Sequence, residues 1–154
     1  IIKNFGCSIY SPNDLYLSTK FNNIDIIQAP VNIFDRRFLN KDTMSYLKEK
    51  NIKLQIRSIF LRGFLLYDYK KLPKKFHYWK NDFKRYQMFL KRMKLNKIIG
   101  ALSILNKINY ESVVIGFDSY HELKEVFKNV PNNNLIIPEF NIKKRNQIID
   151  PRKW

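Results

Sequence analysis

The chain is poor in cysteine, in alanine and in acidic residues, and it lacks any long apolar run. Its single cysteine, Cys7, excludes an intramolecular disulfide and fits a reducing, cytoplasmic compartment. No group of Cys and His residues has the spacing of a zinc site. No apolar stretch reaches the roughly 20 residues that a membrane-spanning helix needs. The opening Ile1-Ile2-Lys3-Asn4 resembles neither a signal peptide nor a start at Met, so a segment upstream is expected. Alanine occurs only at Ala29 and Ala101, whereas Lys, Asn and Ile abound.

Acidic residues number 13 against 29 Lys and Arg, a formal charge of +16. Such a charge can signal a nucleic-acid or membrane partner. Here the excess is Lys rather than Arg and is spread along the chain, as a general bias toward A/T-rich codons would produce. What is present is enough for a core: of 154 residues, 45% are hydrophobic and 15% aromatic, which excludes a disordered chain.

Four short apolar runs stand out, each followed by a helical pattern. They are Phe5 to Tyr10, Ile24 to Ala29, Ile52 to Arg57 and Ser112 to Gly116. Ser11-Pro12-Asn13-Asp14 reads as a helix start, with Ser as the cap, Pro in the first turn and Asp at the positive end of the dipole. Further helices are expected from Asp42 to Lys50, from Asn96 to Ile108 and from Ser119 to Lys128. Leu72, Phe76, Trp79, Phe83, Tyr86, Leu90 and Met93 recur at spacings of three and four and predict one continuous apolar stripe. Runs rich in β-branched residues that alternate with helices predict a parallel sheet of βα units. A flat sheet of four strands is one solution, although the order shows no strand reversal. Strands that follow one another around a barrel need eight to close it. The fold expected is therefore α/β, the C-terminal half of a (β/α)8 TIM barrel in residues 1–130, with an irregular tail in 131–154.

Barrel enzymes place their chemistry at the carboxyl ends of the strands, and there the chain resembles the aldo-keto reductases. Phe5-Gly6-Cys7-Ser8-Ile9-Tyr10 resembles their fifth strand, with its G-x-S-N motif. Ile26 to Asn32 resembles the sixth, where a Gln faces the cofactor. Arg57 to Leu66 is similar to the seventh strand and its Y-S-P-L-x-x-G-L-L loop, and Ile115 to Leu123 to the eighth strand and the helix after it. The ending Ile149 to Trp154 is similar to the tail of a bacterial subgroup, which implies a natural C-terminus.

The resemblance implies a reductase of aldehydes or ketones that uses NADPH, or NADH, with a small carbonyl compound as substrate. Ser8 and Gln28 match residues that bind the nicotinamide amide. Ser58, Phe60, Leu61, Arg62 and Gly63 match the loop around the pyrophosphate, and Gly116, Ser119 and Glu122 the adenosine end. Arg57 stands where an aromatic residue stacks on the nicotinamide ring, and a guanidinium plane can stack in its place. Other departures are Ile9 for an Asn, Ser119 for a basic residue and Val126 for an Asn. The family's Asp, Tyr, Lys and His lie on strands one to four, so no catalytic residue is expected here. Tyr10, Tyr67 and Tyr69 are not substitutes. The missing N-terminal half would be the chain's partner. A second reading is a barrel that has lost its chemistry and binds nucleic acid or protein through its basic surface.

Lys70 to Lys94 carries the densest charge, interleaved with aromatics as in some single-strand binders. The aromatics share one stripe, so they are expected against the sheet with the lysines in water, and nucleic acid is not the expected partner. His77 and His121 are expected to be exposed, and Cys7 to be a small buried residue.

Overall fold

Three of the apolar runs carry β-branched residues at alternate positions, and this alternation decides how the sheet forms. In the computed structural model, which describes residues 2–21, 24–130, 135, 137–140, 142 and 145–154, four strands pair. They are β1 (Gly6–Ser8), β2 (Ile26–Pro30), β3 (Lys53–Arg57) and β4 (Ser112–Val113), side by side in chain order and all parallel. Parallel neighbours require crossovers. These are supplied by α1 (Pro12–Ser18) and α2 (Lys41–Glu49), then by a long excursion containing α3 (Lys80–Arg92) and α4 (Lys97–Leu102). Helix α5 (Tyr120–Lys128) follows β4, and a short α6 (Arg145–Ile148) lies in the tail.

The two faces of the sheet differ. Ile27, Ala29, Leu54 and Ile56 are buried in the main core, whereas Gln28, Gln55 and Arg57 point the other way and are only half-buried. The first row belongs to the helix-covered side. The second is the concave side, the inside of the barrel that four more βα units would close.

Helix caps follow the sequence. Ser11 accepts from the Asp14 amide (3.3 Å) while Asp14 Oδ2 accepts from the Ser11 amide (2.9 Å), a reciprocal cap for α1. Asn40 caps α2 by accepting from the Thr43 amide at 2.8 Å, and Ser119 caps α5.

Several expectations change. The stripe from Leu72 to Met93 is not one helix: 3-10 turns occupy Tyr69–Lys71 and Lys74–Trp79, and the α-helix begins only at Lys80. Pro73 lies between those turns, and its fixed φ and missing N–H break a helical ladder. The stripe is nevertheless buried from Leu72 through Leu90, because a 3-10 turn also returns to one face every third residue. Met93 follows the end of α3 and is exposed. Strands β1 and β4 are shorter than their apolar runs, with Phe5 and Val114 left exposed at the two edges. Cys7 is half-buried rather than buried. The tail is less irregular than expected: Ile137, Phe140, Ile142, Ile148 and Ile149 are buried in the same core. Phe140 meets Phe34 and Tyr86 edge-on, at 6.3 and 5.7 Å between ring centres.

Candidate functional site

Parallel pairing gathers the carboxyl ends of all four strands along one rim. Ser8 pairs with Gln28 and Gln28 with Gln55, and Gln55 with Ser112, so four polar residues form a row across the concave face. Gln28 Nε2 donates to Gln55 Oε1 at 2.7 Å, and Gln55 Nε2 donates to Ser112 Oγ at 2.9 Å. Ser8 and Gln28, with Gly6, Cys7, Ile26 and Gln55, line a concavity of ≈ 280 Å³.

At the rim itself the guanidinium of Arg57 lies along the sheet. Its Nε donates to Ser8 Oγ (3.2 Å), its Nη1 to Ser58 Oγ (3.3 Å) and its Nη2 to the Ile9 carbonyl (3.0 Å). The same group sits 4.3 Å from the centre of the Tyr10 ring. Arg152, from the tail, lies over that ring too, at 4.0 Å. Arg152 is held by Asp150 through two bonds of 2.9 and 2.8 Å. Hydrogen bonding from Arg152 holds the Asp150 carboxyl below its ordinary value. Burial would raise the Asp14 carboxyl, but the Tyr10 and Ser11 amides, the Ser11 hydroxyl and the Arg152 charge outweigh it and lower it.

The turn after β3 is wound in an unusual way. Ser58, Leu61 and Arg62 have φ of 59, 49 and 51°, and Gly63 has 84°. Only Gly adopts that region without penalty, and each of the other three costs about 1 kcal/mol or more. Asn32 stabilises the first of them: buried, it donates from Nδ2 to the Ser58 carbonyl at 3.2 Å and accepts from the Phe34 and Asp35 amides. The amides of Phe60, Arg62 and Gly63 find no acceptor among the described residues.

The structure thus brings Ser8, Arg57 and Ser58 into direct contact and sets Gln28 beside them. Phe60 is half-buried and Arg62 exposed, whereas the Leu61 side chain is buried, so only its backbone faces the rim. Gly116, Ser119 and Glu122 lie after β4, all exposed. Two of these have local work: Ser119 Oγ accepts from the Glu122 amide (3.2 Å), and the Glu122 carboxylate accepts from the Asp118 amide (3.0 Å). Gln55, Ser112, Asn32, Tyr10 and Arg152 were not singled out from sequence as site residues. Gln55 had a signal, a polar residue alternating with Leu54 and Ile56 in a strand expected to be apolar on both faces. Arg152 had none, since its contact with Tyr10 joins the two ends of the chain.

Elsewhere, the ten basic residues between Lys70 and Lys94 are exposed and the aromatics Phe76, Trp79, Phe83 and Tyr86 are buried. His77 and His121 are exposed. Among the described residues no helix is long and apolar enough to cross a membrane, and no cluster of His, Cys, Asp and Glu could hold a metal.

No family model and no curated protein matches the sequence. Solved structures do. The aldo-keto reductase AKR11C1 from Bacillus halodurans, in its apo form, superposes with a TM-score of 0.68 over 96% of this chain and 50% of its own, at 20% identity. Its holo form gives 0.65 over 88% and 46%, at 21% identity. The glycerol dehydrogenase AKR11B4 from Gluconobacter oxydans gives 0.51 over 89% and 53%, at 16% identity. The chain folds as half of an aldo-keto reductase barrel. It spans about half the length of the structures it matches, and at these identities the likeness is one of fold.

Proposed function

We propose that this half-barrel is the cofactor-cradling half, strands five to eight, of an NAD(P)H-dependent reductase of aldehydes or ketones. The observation that carries the reading is the convergence of Ser8, Gln28 and the strained Ser58–Gly63 turn on one rim. Fold alone would not carry it, because barrels host many chemistries.

The residues present fit a dinucleotide. Ser8 and Gln28 offer a hydroxyl and an amide beside an open concavity, a pair suited to a carboxamide. The acceptor-free amides of Phe60, Arg62 and Gly63 suit phosphate oxygens, and Arg62 adds an exposed positive charge. Backbone bent into a costly conformation is commonly kept where a ligand repays it. Gly116, Ser119 and Glu122 would meet the adenosine end, with Ser119 and Glu122 acting through the shape of the α5 N-terminus. The bound nicotinamide supplies a hydride, which passes to the carbonyl carbon as a proton reaches the oxygen. The proton donor would come from the other four βα units, since this half lacks the acid. NADP is the expected cofactor and NAD the alternative.

The test is a fluorescence titration of NADPH and of NADH against the protein at its full encoded length. Saturable binding of either is expected, weakened about tenfold by Ser8→Ala or Gln28→Ala, the worth of one buried hydrogen bond. Failure of both cofactors to bind would overturn the proposal.

A further inference from the structure

Resting on the reading above, one feature of the rim points to the class of carbonyl compound. Arg57 is half-buried, yet every acceptor it meets is neutral: two serine hydroxyls and a backbone carbonyl. No carboxylate among the described residues pairs with it. Its neighbour on the Tyr10 ring, Arg152, is neutralised by Asp150, and the Asp14 carboxylate is consumed by the Tyr10 and Ser11 amides. A guanidinium has five N–H donors, and three are used, so two remain. A partly desolvated, uncompensated guanidinium with donors to spare is the counterpart of a planar anion.

We infer that Arg57 recognises a carboxylate on the substrate, so that the preferred substrates are aldehydes or ketones that also carry a carboxylate group. The geometry supports it. Arg57 bonds to Ser8, a residue assigned to the nicotinamide amide, so its free donors lie one side chain from where a carbonyl would be reduced. The contacts to Ser8, Ser58, Ile9 and Tyr10 fix the guanidinium plane before any ligand arrives, which lowers the ordering cost of binding. The positive charge also draws anions toward the rim.

The experiment compares 4-carboxybenzaldehyde with benzaldehyde as substrates of the full-length protein, wild type, Arg57→Gln and Arg57→Lys. In Arg57→Gln the ratio of kcat/KM for the two substrates should fall by about 10–100-fold, the loss of a charged hydrogen bond, and Arg57→Lys should retain most of it. Using a ratio removes any general loss from misfolding. A ratio that stays put, including when cofactor affinity alone drops, overturns the inference and returns Arg57 to the cofactor. Should neither NADPH nor NADH bind the wild type, calorimetric titration of 4-methylbenzoate decides instead. Binding that Arg57→Gln abolishes keeps the anion site while the reductase reading fails, and absent or unaffected binding sinks both.

Discussion

Gly6 is where the site depends most directly on backbone approach. A Cβ at that position would lie 2.2 Å from the Ile26 carbonyl oxygen and 3.0 Å from its carbon. Both are backbone atoms of the neighbouring strand and cannot rotate away. Ordinary carbon–oxygen contact begins near 3.2 Å, so Gly6→Ala must part β1 from β2 by about 1 Å. The bonds on either side, Asp25 N–H to the Phe5 carbonyl (2.8 Å) and Ile9 N–H to the Gln28 carbonyl (2.9 Å), have little slack. Overpacking costs about 1–3 kcal/mol and each ladder bond roughly 1 kcal/mol, while removing a glycine from a strand returns about 0.5–1 kcal/mol. The net expectation is a loss of about 2–3 kcal/mol, read from the shift of the urea midpoint at constant slope. Because β1 is an edge strand carrying Ser8, cofactor affinity should fall in parallel. A variant within about 0.5 kcal/mol of wild type would refute the reasoning, since it would mean that β1 is not held against β2 as described.

Tyr86 packs edge-on against Phe34 and Phe140, but its buried hydroxyl has no partner among the described residues. Tyr86→Phe keeps the packing and removes the unsatisfied group, so thermal unfolding should show a gain of roughly 1 kcal/mol. Burial pushes the phenol well above its ordinary value of 10.0, so wild-type stability is intact below pH 10 and erodes above it as the unfolded chain ionises. In Tyr86→Phe melting curves that component of the alkaline slope should vanish. Asp150 and Asp14 have the opposite sign: both are lowered from 3.8, so their contribution is present above that value and lost as pH falls below it. Asp150→Asn should flatten the fall in melting temperature between pH 5 and pH 3, a window set by the ordinary carboxylate range.

The sheet was legible because the parallel strands are written as β-branched runs, and their order because consecutive units follow one another with nothing to reverse them. Ser11 and Ser119 were legible as caps, since a hydroxyl three residues before an acidic side chain has few other uses. The excursion between β3 and β4 was legible only in its burial. Leu72, Phe76 and Trp79 keep the spacing of a helix face without forming an α-helix, because the core constrains which residues face it and leaves the winding to Pro73 and its neighbours. The tail was illegible for another reason. Ile148, Ile149 and Trp154 find partners far away in sequence, among them Phe64 and Phe76 at 5.3 and 5.0 Å from the Trp154 ring, and no local pattern encodes such contacts.

Charge shows the same division between what composition carries and what position decides. Counted along the chain, Arg57 is one of 29 basic residues, and nothing in that excess distinguishes it from the lysines of α3. Their surroundings do. The α3 lysines end in water, where a charge costs little and attracts little at physiological salt. Arg57 is drawn half out of water onto Ser8, Ile9, Ser58 and Tyr10, where its charge is screened less and lacks an internal anion. Desolvating an unpaired cation is unfavourable unless something repays it. The rim of the sheet, rather than the basic surface, is therefore where the net charge of this chain acquires a specific use.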